Sequence, residues 1–394
     1  MRALTLALIL VTNLVVGMKS QFNVINNILN PADYISQIKN KDAWFAYRVK
    51  AQKNTTSMCC WESTNRENLQ CDLENDNNSF GSSNKDGITE NINIYVNVQK
   101  GMINNILTVG DECKIIVGKQ EVNWLNDITH ENSVNWLKEL SINDNDVSSH
   151  NALYSLAQHD GVGASMALYD IASLKNHDNS QNAVFWLGNS RNDGFTHLQK
   201  LYKSLPNGNV KRHINFALSQ SKSPESIDLL KQIAMNDTNT VQRADAYFWL
   251  AENNLPGIEK FLLNAVENDD SFIVKEKAIF ALSQVKSELA ADALLDLVEN
   301  HSNADIQEKA LFWLAQINPP KAKEIVLEIL KSTKSEGQIN NAVFTLSQIP
   351  EQTDDDVLFS LLTNDYSNQV KKQALFWLSQ SENTNTIERL VKYL

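Results

Sequence analysis

The most regular feature of the chain is a hydrophobic seven-residue word that recurs along its last two thirds. It reads ALYSLAQ from Ala152, AVFWLGN from Ala183, INFALSQ from Ile214, AYFWLAE from Ala246, AIFALSQ from Ala278, ALFWLAQ from Ala310, AVFTLSQ from Ala342 and ALFWLSQ from Ala374. Successive starts advance by 31, 31 and then 32 residues each time, a spacing that marks an internal structural repeat. Around each word the apolar residues fall three and four apart, as in Val274, Ala278, Ala281, Leu282 and Val285, so each word sits on an amphipathic helix. A second amphipathic segment precedes it, for example Ser226 to Ile233 with Pro224 near its first turn.

The unit is therefore a helical hairpin. One hairpin cannot bury its own apolar faces, so about eight of them are expected to stack into a right-handed α-solenoid over residues 132–394. After the last word, Thr384, Ile387, Leu390, Val391 and Leu394 predict a final amphipathic helix that caps the stack, with Glu388, Arg389 and Lys392 on its other side.

Ahead of the repeats the period changes to two. Ala43 to Val49 and Ile92 to Val98 alternate as strands do, and Ile106 to Val117 supplies two more around Gly110 and Asp111. Asn75 to Gly87 is rich in Asn, Ser, Asp and Gly and reads as a loop. All four cysteines, Cys59, Cys60, Cys71 and Cys113, lie in this first third. In an oxidising compartment an even, clustered set predicts disulfides, and neighbours such as Cys59 and Cys60 rarely bond each other. Two pairings remain open: Cys59 with Cys71 and Cys60 with Cys113, or Cys59 with Cys113 and Cys60 with Cys71. A four-thiolate zinc site is the rival, disfavoured because the vicinal pair lacks the usual spacer between ligands. Residues 21–131 are expected to form a small disulfide-linked β or α+β domain.

The first 20 residues carry Arg2, an apolar run from Ala3 to Gly17 and a polar turn at Lys19, the layout of a signal peptide. The expected location is accordingly periplasmic or extracellular, with no transmembrane segment left after cleavage. The net charge of -12 comes with scattered lysines, so no basic stripe is available to neutralise phosphates, and nucleic acid is not an expected partner.

The segment Val274-Lys275-Glu276-Lys277-Ala278-Ile279-Phe280-Ala281-Leu282-Ser283 resembles the second helix of HEAT repeats, especially the phycobilisome-lyase-like subclass. The resemblance implies the solenoid architecture and leaves function open, since such arrays serve as scaffolds, adaptors and a few enzymes. Met58-Cys59-Cys60-Trp61 with the later Asp111-Glu112-Cys113 looks like the cysteine-containing leader domain of some exported bacterial HEAT-repeat proteins.

Two stripes run along the repeat helices. The fourth place of the word holds Trp186, Trp249, Trp313 and Trp377 in alternate repeats, with small residues Ala217, Ala281 and Thr345 between, a pattern expected to interdigitate in the core. The third place is always aromatic: Tyr154, Phe185, Phe216, Phe248, Phe280, Phe312, Phe344 and Phe376. Four residues on, and so on the same helical face, stand Gln158, Asn189, Gln220, Glu252, Gln284, Gln316, Gln348 and Gln380. On the concave side of a solenoid these stripes would form a groove for a protein or peptide partner, rings supplying area and amides pairing backbone groups. The alternative is that the rings pack on one another as part of a thick core.

No catalytic residue, metal or cofactor is expected. Some HEAT proteins hold a di-iron centre through His-Glu pairs, as deoxyhypusine hydroxylase does, but the one His-Glu here, His130-Glu131, precedes the repeats. His159-Asp160 and His177-Asp178 read as turns or caps. The functional expectation is a non-enzymatic interaction scaffold, with a bilin-lyase-like enzyme or small-ligand binder using the same groove as the alternative.

Overall fold

The computed structural model describes residues 22–39, 41–62, 65–73, 79–82, 87–119, 121–143, 147–189, 191, 193–221, 223–333, 335–349, 354–381 and 384–393. The apolar leader expected over residues 1–20 lies outside them. The chain divides into two compact units, residues 1–223 and 224–394.

Among the described residues the first unit opens with nine strands and one helix: β1 (Phe22–Ile25), α1 (Pro31–Ile38), β2 (Ala43–Lys50), β3 (Met58–Glu62), β4 (Asn65–Asp72), β5 (Ser79–Ser82), β6 (Asn91–Gln99), β7 (Met102–Gly110), β8 (Lys114–Ile116) and β9 (Val122–Leu125). They form a five-stranded sheet in the order β1-β9-β2-β6-β7 and a four-stranded sheet in the order β5-β3-β4-β8. The long hairpin β6-β7 follows from the alternating run at Ile92, with Lys100 and Gly101 taking positive φ in its tight turn. β5 lies inside the stretch expected to be a loop. Its pairing with β3 (Cys59 opposite Gly81) supplies backbone partners that the polar composition does not announce.

β2 shows why residues 43–49 alternate although both faces are buried. Trp44 and Ala46 face the core built around the four cysteines. Phe45 meets Tyr34 of α1 and Trp136 of the first repeat helix, at ring centroids 5.2 and 6.3 Å apart. The period of two thus separates two cores rather than core from solvent. Cys59 pairs with Cys113 and Cys60 with Cys71, which closes the choice left open by sequence. Both bonds are buried beneath the five-stranded sheet, cross-linking β3 to β4 and to the segment around Cys113 in a module with little apolar volume of its own.

Helical hairpins follow. The first unit holds α2 (His130–Asn143) with α3 (Val147–Ala157), α4 (Gly161–Ala172) with α5 (Asn179–Gly188), and α6 (Gly194–Ser204) with α7 (Asn209–Gln220). The second holds α8 (Pro224–Asn236) with α9 (Thr240–Glu252), α10 (Ile258–Asn268) with α11 (Phe272–Gln284), α12 (Glu288–Asn300) with α13 (Ala304–Ile317), α14 (Pro319–Ser332) with α15 (Glu336–Ser347), and α16 (Asp354–Thr363) with α17 (Asn368–Ser379), then α18 (Thr384–Tyr393). Each of the eight words lies on the second helix of its hairpin.

Local chemistry sets the helix starts. Asn239 and Asn303 each accept from two free amides of the first turn, those of Val241 and Gln242 and of Asp305 and Ile306. Pro224 and Pro319 occupy first helical positions, where a missing N–H costs nothing. Within each unit the second helices of neighbouring hairpins touch, as α9, α11, α13, α15 and α17 do in order. Val274, Ala278, Ala281 and Leu282 are fully buried on α11, and Ile306, Ala310 and Leu314 serve α13 likewise. Truncating one of these leucines to alanine should cost roughly 2–5 kcal/mol.

The C-terminal helix departs from the expected cap. Leu390 is buried, but Ile387 and Val391 are 47% and 70% exposed, so α18 leaves apolar surface on its outer side. Arg389, expected to face solvent, turns back to Asp356 at 2.5 Å and lies over the Phe359 ring. α18 has only one neighbouring layer to bury against, and its apolar residues outnumber the places that layer offers.

Candidate functional site: an aromatic and amide face on the second helices

On each second helix the first and fifth residues of the word are buried, while the third and seventh lie on the opposite side. Tyr154, Phe185, Phe216, Phe248, Phe280, Phe312 and Phe344 are half-buried, and Phe376 is 52% exposed. In the same rows Gln220, Gln284, Gln316, Gln348 and Gln380 are exposed, as are Asn189 and Glu252, with Gln158 half-buried. Burial holds the Tyr154 hydroxyl above its ordinary pKa.

The rings contact one another in two ways. Phe248 stacks on Phe280 at 5.6 Å with planes 8° apart, and Phe312 stacks on Phe344 at 6.0 Å and 5°. Between these pairs the indoles intervene: Trp313 lies 4.7 Å from Phe280 and 5.0 Å from Phe312, and Trp377 lies 5.3 Å from Phe344 and 5.2 Å from Phe376. The first unit repeats the scheme, with Trp186 between Tyr154 and Phe185, and Phe185 stacked on Phe216.

The tryptophans therefore do not fill the core. Trp186, Trp249, Trp313 and Trp377 are all half-buried, whereas Ala217, Ala281 and Thr345 at the same place are buried. The expected interdigitation is real but lies at the surface. Trp313 leans on the ring of the preceding repeat, whose own fourth place is Ala281, because an indole is too wide for the space that an alanine occupies between neighbouring helices. Ring faces are spent on each other while the edges of the row stay open to solvent. The ammonium of Lys277 sits 4.5 and 4.7 Å from the Phe248 and Phe280 rings and adds a cation to the stacked pair. Where the fourth place is Thr345, a cleft of about 160 Å³ opens, lined among others by Glu308, Leu311, Asn341 and Ala342.

The amides are ordered by a feature that sequence reasoning passed over. In the four words ending in Ser-Gln, the serine hydroxyl donates to the carbonyl of the phenylalanine three residues back, at 2.7, 2.7, 2.7 and 2.6 Å for Ser219, Ser283, Ser347 and Ser379. The following glutamine then donates Nε2 to that same hydroxyl, at 2.9 Å for Gln284 and 3.2 Å for Gln348. The recurring Ser-Gln pair was the available signal.

Other polar groups are occupied structurally. Ser133 Oγ lies 2.8 Å from His159 Nε2 and 3.0 Å from the Tyr47 hydroxyl, and His159 Nδ1 lies 2.8 Å from the Ser155 carbonyl. A carbonyl only accepts, so Nδ1 of the imidazole carries a proton. Burial pushes its pKa down to about 3. Ser133, His159 and Tyr47 are completely buried, so this Ser-His pair has no face to offer a substrate and serves as a hub joining β2, α2 and the end of α3. His130 lies beside it, with ring centroids 5.5 Å apart and planes tilted by 51°. His177 accepts from the Asn179 amide at the start of α5, the capping role expected.

Arg191, missed by sequence reasoning, is buried and donates to the carbonyls of Ala157 and His159 and to Ser165 Oγ, closing the end of α3. The sulfurs of Cys59, Cys71 and Cys113 lie within 4.8 Å of one another, yet each is committed to a disulfide and offers no thiolate to a metal. Among the described residues no helix is long and apolar enough to cross a membrane.

Comparison with known proteins bears on the helical part. A HEAT-repeat family model matches residues 230–301 and 291–379. Similar solved structures include human deoxyhypusine hydroxylase with glycerol, at 16% identity over 63% of this chain and 96% of that one, with a TM-score of 0.28. The protein YibA of Escherichia coli is 17% identical over 63% of this chain and 92% of its own, with a TM-score of 0.35. The complex of CpcE and CpcF of phycocyanin lyase from Nostoc is 16% identical over 58% and 92%, with a TM-score of 0.28. No curated protein sequence matches the chain. With the repeated word, the paired helices and the family match in agreement, the chain carries HEAT repeats over residues 230–379, and a disulfide-linked module of two sheets precedes the helical hairpins in sequence.

Proposed function

We propose that this protein is an exported, non-enzymatic scaffold, periplasmic or extracellular, that holds a partner protein or peptide on the second-helix face of its HEAT array. The observation that carries the reading is the exposed amide row beside a half-buried aromatic ribbon, repeated from hairpin to hairpin. A ribbon already packed against itself is rigid, so little side-chain freedom is left to lose on binding. Its open edges supply apolar area, and the amides at the border supply directional contacts. HEAT repeats commonly mediate protein interactions, and the stack suits a scaffold. Export is supported by the leader sequence and by two buried disulfides, which persist in oxidising compartments. Residues 21–131 serve as the cross-linked module and residues 132–394 as the binding array.

Affinity capture with the full chain tests this. A partner recovered with the unaltered protein should be lost when Gln284 and Gln348 are both changed to Arg, exposed sites where the fold tolerates the change. A partner kept by that variant but lost on removing residues 21–131 would transfer the function to the N-terminal module.

A further inference from the structure

The serine-glutamine relay sets the chemical sense of the face. Ser283, Ser347 and Ser379 each have one hydroxyl proton, and it goes to the carbonyl of Phe280, Phe344 or Phe376, which only accepts. The hydroxyl oxygen is then an acceptor for its second partner, so the adjacent glutamine must turn its NH2 inward. That fixes the amide's orientation by proton count and leaves Oε1 of Gln284, Gln348 and Gln380 as the outward atom. In the intervening repeat Gln316 donates Nε2 to the backbone carbonyl of Gln348, at 3.2 Å, which leaves its Oε1 uncommitted to that bond. Each Nε2 keeps a second N–H, so the row presents one acceptor and one remaining donor per repeat from exposed side chains.

Such a row selects among backbone conformations by donor supply and by period. Packed helices stand about 8–10 Å apart, so acceptors recur at about that distance. An α-helical partner has spent its N–H groups within itself beyond its first turn and has no repeating row of them to give. A β-strand repeats the same face every two residues, about 6.7 Å, and after three residues turns its opposite face to the array. A polyproline-II segment rises about 3.1 Å per residue with three residues per turn, about 9.3 Å, and makes no internal hydrogen bonds. Its period fits the helix spacing, and every third residue presents the same side. Aromatic surfaces also suit its pyrrolidine rings.

We infer that the second-helix face from Gln284 to Gln380 binds a polyproline-II segment of a partner, three residues per HEAT repeat, whose backbone N–H at every third position donates to the outward glutamine Oε1 atoms. The inference rests on the scaffold reading above and names the partner's conformation and donor spacing. The outward Oε1 atoms accept, so the segment needs a non-proline residue once per turn.

The test uses the full chain and a fluorescent (Pro-Pro-Ala)5 peptide, about 46 Å long as polyproline II, with binding read by anisotropy. Its companion carries N-methylalanine at each alanine, which removes the donors. The expected result is that the first binds and the second binds at least about tenfold more weakly, as loss of several hydrogen bonds requires. The triple variant Gln284→Met, Gln348→Met, Gln380→Met should show the same loss for the first peptide with an unchanged circular-dichroism spectrum. The triple variant Ser283→Ala, Ser347→Ala, Ser379→Ala should weaken it less, because the amides are then free to turn. Equal binding of both peptides, or unchanged binding by the glutamine variant, overturns the inference. So does binding of an amphipathic helical peptide to this face when (Pro-Pro-Ala)5 does not bind, an outcome that leaves the scaffold reading standing. Partner capture insensitive to every change on this face would instead remove the scaffold reading.

Discussion

His159 should make the stability of the first unit depend on pH in a defined window. Its imidazole is fully buried, with Nδ1–H given to the Ser155 carbonyl and Nε2 beside Ser133, and burial lowers its pKa to about 3 from the ordinary 6.5. In the unfolded chain the same group takes up a proton near pH 6.5, so between that pH and about 3 the unfolded state binds more protons than the fold. Stability is therefore full above pH 6.5 and falls as the pH drops, by about 1.4 kcal/mol per unit. At pH 5 the loss amounts to about 2 kcal/mol. The assay is urea unfolding at pH 7 and pH 5, with pulsed hydrogen exchange reporting on residues 43–50 and 130–143. His159→Gln lowers stability at pH 7 through lost packing, but it should flatten this part of the pH dependence. An equal loss between pH 7 and pH 5 in the variant and the parent would refute the assignment to His159.

Thiol titration of the unreduced, unfolded protein should find no free cysteine, and replacing Cys59 with Cys113 by alanine should cost about 4 kcal/mol against about 3 for Cys60 with Cys71, by urea midpoints, because the first closes the longer loop. Trp313→Ala should cost about 1–3 kcal/mol, the worth of two ring contacts at a half-buried site, and an unfolded variant by circular dichroism would mean that the indole belongs to the core after all. Arg243 donates to both oxygens of Asp269 at 2.9 Å in a nearly buried pair, so Asp269→Ala should lower stability by about 3 kcal/mol in chemical denaturation; an unchanged midpoint would contradict that. A fragment lacking residues 21–131 strips Tyr47 and Thr108 from Ser133 and Ser155, and its first hairpin should exchange amide hydrogens faster than in the full chain.

The repeats were legible because a stacked hairpin writes the same physical demand into every copy. Ala278, Leu282 and Val274 must be small or aliphatic at helical spacing, and the word returns wherever the next hairpin makes the same contact. The cap at α18 was legible as a helix and not as a cover, since Ile387 and Val391 show apolarity without saying whether a neighbour exists. The tryptophans were misplaced for a related reason: large beside small signals interdigitation, but period alone does not say how deep it occurs. The N-terminal module was legible where strands alternate and at the cysteines. β5 and the order of two sheets depend on pairings between segments distant in sequence, and the choice of disulfides depends on which strand faces which. The relay from glutamine through serine to the phenylalanine carbonyl stood in the words as Ser-Gln, yet only side-chain geometry shows which end of the amide points outward.

The claim that the second-helix face holds the partner is tested most directly by site-specific photo-crosslinking in the protein's own compartment. A benzoylphenylalanine replaces Gln348 on that face in one protein and exposed Glu328 on the first helix α14 in another. The account predicts a discrete crosslinked partner from position 348 and none from position 328. Crosslinks from position 328 alone, or none from position 348 while the bound partner is still recovered, would contradict it.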